Sequence, residues 1–89
     1  MANDTIAVAT PTKTETQALN GGMTLGDSLA KFFNVTVREV EGRCVGQMVR
    51  LNNGVANIPG DLNTPLRGGD YVAIFPNEIA RGGVKGAGI

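Results

Sequence analysis

An α+β fold, with a mixed sheet crossed by one main helix, is predicted by three features of this 89-residue chain. Thr5 to Leu19 reads as a β-hairpin, and Thr24 to Phe33 carries a strongly amphipathic helical pattern. Tyr71 to Phe75 is a run of five apolar or aromatic residues with no charge, the mark of a central strand covered on both faces. In that order the last strand pairs with the first, parallel to it, while the helix crosses the sheet.

Thr5 to Thr10 alternates so that Ile6 and Val8 share one face, and Pro11, which has no N–H for a ladder, ends the strand. Lys13 to Leu19 returns as the second strand; its charge and polarity suit an exposed edge. Asn20-Gly21-Gly22 breaks the chain. Thr24, with Asp27 three positions later, caps the helix and sets a carboxylate at its positive end. Leu25, Leu29, Phe32 and Phe33 fall at i, i+4, i+7 and i+8 and form one apolar face. Burying those four side chains stabilises the domain by roughly 6–12 kcal/mol before entropy is subtracted. Asp27, Ser28 and Lys31 are assigned to the opposite side, facing water, and Asn34 to the helix stop.

Val35 to Glu41 fits two patterns. Its alternating valines read as a strand, whereas Thr36 followed three residues later by Glu39 reads as a cap on a short helical turn. Arg43-Cys44-Val45 connects to a strand over Gln47 to Leu51, and Asn52-Asn53-Gly54 is a tight-turn signal, because Asn and Gly tolerate positive φ. Val55 to Ile58 returns as a short strand. Pro59-Gly60-Asp61 turns the chain again, and Leu62 to Leu66 is a connection pinned by its two leucines. Gly68-Gly69-Asp70 then leads into the last strand, with Asp70 expected to bond its own turn's backbone. This order is that of a β-grasp domain over residues 5–78, preceded by a flexible N-terminus, 1–4, and followed by a flexible, glycine-rich tail, 79–89.

Composition narrows the function. Eight basic and eight acidic residues are spread along the chain with no basic run, so nucleic-acid binding is not expected. The longest apolar runs are too short to span a membrane. A single cysteine, Cys44, and an N-terminus without the features of a signal peptide make cytoplasmic residence the expectation. The chain has no histidine, and Ser28 is its one serine, so neither a serine triad nor a His-activated thiol can be assembled. An enzyme built on Asp, Glu, Lys or Tyr alone is left as a minor alternative, because so small a fold offers few pockets, and no catalytic residue, metal ligand or bound cofactor is assigned. Cys44 reads chiefly as a small buried residue, with a persulfide or thioester role as the sharper alternative.

Val49-Arg50-Leu51-Asn52-Asn53-Gly54, then Leu66, Gly69-Asp70, Val72 and Ile74, then Gly82-Gly83, resembles the ubiquitin-like sulfur-carrier proteins of thiamine and molybdopterin biosynthesis. The resemblance covers the C-terminal half by motif and the N-terminal half by element order. It implies a ubiquitin-like β-grasp fold, and a diglycine tail threaded into an ATP-dependent adenylating enzyme. There the carboxylate of the last glycine is adenylated, then converted to a thiocarboxylate for a sulfur-acceptor enzyme or joined to a target lysine. ATP is used by that partner; the carrier contributes no catalytic group.

On this reading Gly82 and Gly83 are the residues activated or attached. A Cβ at either would obstruct a narrow channel, and an unbranched tail reaches a remote active site. Gly83 is followed by Val84-Lys85-Gly86-Ala87-Gly88-Ile89, so the reading requires a processing protease to cut between Gly83 and Val84. Arg81 is a candidate contact to the activating enzyme. Leu51, Val55, Ile58, Val72 and Ile74 are candidates for an apolar docking patch, Leu51 and Ile58 foremost, with some of the set belonging to the core. The alternative is a non-covalent β-grasp interaction module whose glycine-rich tail is unreactive. A small-ligand or regulatory domain is a third reading.

Overall fold

The computed structural model describes residues 4–76, a five-stranded mixed sheet with two helices packed on one face. Strand β1 (Thr5–Ala9) pairs antiparallel with β2 (Thr14–Ala18), Ile6 opposite Gln17 and Val8 opposite Glu15. Thr10 closes the hairpin, its hydroxyl accepting the N–H groups of Thr12 and Lys13 at 3.3 and 3.2 Å. Helix α1 (Leu25–Phe33) and helix α2 (Val37–Arg43) follow. Strands β3 (Gln47–Leu51) and β4 (Gly54–Val55) make a second hairpin, a 3-10 turn covers Gly60–Asn63, and β5 (Tyr71–Pro76) completes the sheet. The strand order is β2-β1-β5-β3-β4, so the last strand lies at the centre. It runs parallel to β1, Val8 beside Val72, and antiparallel to β3, Val49 beside Ile74. The expected pairing of first and last strands is present.

Helix α1 starts where the sequence places it. The Thr24 hydroxyl accepts the Asp27 N–H at 3.2 Å and the Asp27 carboxylate accepts the Thr24 N–H at 3.0 Å, a reciprocal cap. Asn34 ends the helix in the left-handed region, φ 61° and ψ 48°. Leu25 and Leu29 are fully buried against Ile6, Val8, Val49, Val72 and Ile74. Phe32 and Phe33 are only half-buried. Their rings meet edge to face at 5.5 Å, with Lys13 Nζ over one and the Arg43 guanidinium over the other, each 5.2 Å from the ring centre.

Three expectations are corrected and one open alternative is decided. Ser28 does not face water: it is completely buried, donating to Gln17 Oε1 at 2.8 Å, and Gln17 donates in turn to the Ser28 carbonyl and to Glu15. Its position explains this, since Leu25, Ser28, Leu29 and Phe32 stand at i, i+3, i+4 and i+7, and a fully bonded hydroxyl can occupy such a face. Val35 to Glu41 resolves into the helical alternative. The Glu39 carboxylate accepts the Thr36 N–H at 2.9 Å, and Val40 and Cys44, four apart, enter the core while Val37 stays 48% exposed. The sheet is therefore covered by two helices, not one.

The return strand expected over Val55 to Ile58 shrinks to Gly54–Val55. And β5 is covered on one face only: Val72 and Ile74 are buried, Ala73 and Phe75 are half-buried and Tyr71 is 45% exposed. A central strand of an antiparallel-rich sheet needs only one buried face. An uncharged run did not distinguish the two cases.

Candidate functional site

A cluster of side-chain hydrogen bonds holds the start of β5, at the opposite end of the strand from the residues that lead to Gly82-Gly83. Asp70 accepts the Arg67 N–H at 2.8 Å with one carboxylate oxygen and the Asn52 side-chain amide at 3.2 Å with the other. Asn52 also takes the Tyr71 N–H on its side-chain oxygen at 3.0 Å and donates its own N–H to the Tyr71 carbonyl at 2.7 Å. Gly69, at φ +90°, donates to the Thr5 carbonyl at 2.8 Å, and the Asp70 carbonyl accepts from Ala7 at 3.0 Å. Left-handed φ at Gly69 and at Asn52 (57°) makes both turns tight enough to meet. One clasp thus fixes β5 against β1 on one side and the β3–β4 turn on the other.

Asp70 bonds its own turn as the sequence suggests. The cross-strand role of Asn52 is new: eighteen residues separate it from Asp70, and an Asn-Asn-Gly run signals a turn without naming a partner.

The apolar set expected for docking divides. Val72 and Ile74 are core. Leu51 and Ile58 are half-buried and pack against that core, and Val55 is 54% exposed. The register and the alternation of strand side chains place Ala7, Tyr71, Ala73, Phe75, Met48 and Arg50 on the uncovered face of the sheet. Arg81, Gly82, Gly83 and Val84 lie outside the described residues.

Cys44 is buried, and burial pushes its thiol up, away from the thiolate that persulfide or thioester chemistry needs. Three open surface depressions hold about 220, 210 and 280 Å³, the last beside Cys44. All three fall below the roughly 300–1,000 Å³ of ordinary small-molecule sites. Among the described residues no group of three His, Cys, Asp or Glu side chains is placed to hold a metal ion, and no helix is long and apolar enough to cross a membrane. Compared with protein-family models, curated proteins and solved structures, the chain has no match.

Proposed function

We propose that this chain is a ubiquitin-like β-grasp carrier or modifier whose Gly83 carboxylate, exposed by removal of Val84 to Ile89, is adenylated by an ATP-dependent partner. The observation that carries the reading is the placement of β5. A central strand, parallel to β1 and clasped at its start by Asn52 and Asp70, ends at Pro76, and Gly82-Gly83 follows six residues later. The strand order and the helix across one face are compatible with a β-grasp.

A carboxylate is a poor electrophile. Attack of its oxygen on the α-phosphorus of ATP expels pyrophosphate and leaves an acyl adenylate. A sulfur donor or a lysine amine then displaces AMP. The fold's part is to present the Gly82-Gly83 pair, which carries no side chains, while the partner supplies the chemistry.

A chain ending at Gly83 should support ATP–pyrophosphate exchange with an adenylating enzyme of the sulfur-carrier class. The full chain and a truncated Gly83→Ala variant should not. No exchange by the truncated wild type would remove the reading. The uncovered sheet face, with Tyr71 and Arg50 exposed, favours a second reading as a non-covalent interaction module. On that reading, partner capture survives Gly83→Ala unchanged.

A further inference from the structure

Among the described residues strand β2 is an edge of the sheet, and its pairing with β1 shows which of its backbone groups point away from that neighbour. The Leu19 N–H bonds the Asp4 carbonyl at 2.9 Å, and the Thr10 N–H bonds the Lys13 carbonyl at 2.8 Å. Antiparallel bonding pairs recur at every second residue. Lys13, Glu15, Gln17 and Leu19 therefore turn their backbone groups toward β1, and Thr14, Thr16 and Ala18 turn theirs outward. All three outward residues are exposed.

Natural edge strands are usually blunted by proline, a bulge or a projecting charge. Between Thr14 and Ala18 there is no proline, and the register with β1 runs without a bulge. The one charge, Glu15, is half-buried and bonded to the Gln17 amide at 3.0 Å. The opposite edge, β4, is two residues long and offers little to pair with.

We propose that β2 pairs antiparallel with β2 of a second copy of this chain, about a two-fold axis at Thr16, joining the two sheets into one. In that register Thr16 stands opposite the partner's Thr16 and Thr14 opposite the partner's Ala18, so every outward N–H meets an outward carbonyl. Glu15 falls opposite the partner's Gln17. Sliding the strands by two residues in one direction sets Glu15 against the partner's Glu15, a like-charge contact that antiparallel pairs avoid, and sliding in the other direction gives up a bonding pair. The strand is thus complementary to itself in one register. A second copy is the occupant that this symmetry selects over an unrelated extended peptide. The interface uses neither the tail nor β5, so it stands apart from the proposed activation at Gly83.

Sedimentation equilibrium of the full chain from low micromolar to near-millimolar concentration tests this. The expected result is a reversible dimer of twice the chain mass, with hydrogen exchange at Thr14, Thr16 and Ala18 slowing as concentration rises. Thr16→Glu and Thr16→Lys should each weaken the dimer about tenfold, because each sets two like charges directly opposite one another across the two-fold axis. A one-to-one mixture of the two variants should restore it as a heterodimer. Thermal melts of both variants establish that each is folded. A wild-type chain that stays monomeric throughout, or a dimer indifferent to both charges at Thr16, overturns the proposal.

Discussion

Helices α1 and α2 begin with the same device and end in different energetic positions. Each follows a threonine whose N–H is bonded by an acidic side chain three residues on, Asp27 in α1 and Glu39 in α2. Beyond the cap they diverge. Helix α1 buries Leu25, Ser28 and Leu29 completely, while α2 commits only Val40 within its length and then Cys44 at its end. A start signal therefore shows where a helix begins, and the number of side chains it buries shows how much of the fold depends on it.

That contrast predicts a graded series. Leu29→Ala should be the most damaging change, lowering unfolding free energy by about 2–5 kcal/mol in urea titrations, because it opens a cavity between α1 and the sheet. Val40→Ala, which removes a smaller fully buried side chain from the lighter helix, should cost about 1–3 kcal/mol. Equal losses at the two sites would break the distinction between the helices.

Ser28→Ala comes next, at about 1–3 kcal/mol, since it strands the buried Gln17 side chain without its hydroxyl donor. A neutral result there would mean the bonds around Gln17 are replaced by other partners. Of the two caps, Thr24→Ala should lower stability by about 1 kcal/mol. Thr36→Ala should lower it less, because the Thr36 bond to Glu39 is made by the backbone N–H, which alanine keeps, and its hydroxyl makes no cap bond.

The smallest effect is in pH. The backbone N–H of Thr36, then its side chain, hold the Glu39 carboxyl below its ordinary value of 4.5. Its support for α2 is therefore complete above that value and is lost as pH falls through the lower folded one. Glu39→Gln should flatten the acid limb of the stability curve in that window by lowering stability slightly at neutral pH, toward the level the wild type reaches once Glu39 is protonated.

The same contrast explains what the sequence disclosed. Helix α1 was legible because Leu25, Leu29 and the Thr24–Asp27 pair repeat one message at several positions. Helix α2 was ambiguous because Val35 and Val37 mimic a strand, and only Val40 and Cys44, at helical spacing, decide the matter. Ser28 was misplaced by weighing its polarity above its position on the apolar arc. The Asn52–Asp70 clasp was hidden because it joins two turns far apart in the chain, whereas each turn by itself was evident. At the candidate site, the Gly-Asp lead into β5 was readable. Which face of that strand stays open was not, since an uncharged run describes a strand covered on one side as well as on both.

The central claim is that this clasped last strand carries a tail made to be cut and activated at Gly83. Intact-mass measurement of the protein isolated from its native source tests it most directly. The account predicts a chain shortened by Val84 to Ile89, with a fraction showing sulfur in place of one oxygen or covalent attachment through Gly83. A full-length, unmodified chain as the sole species would contradict it.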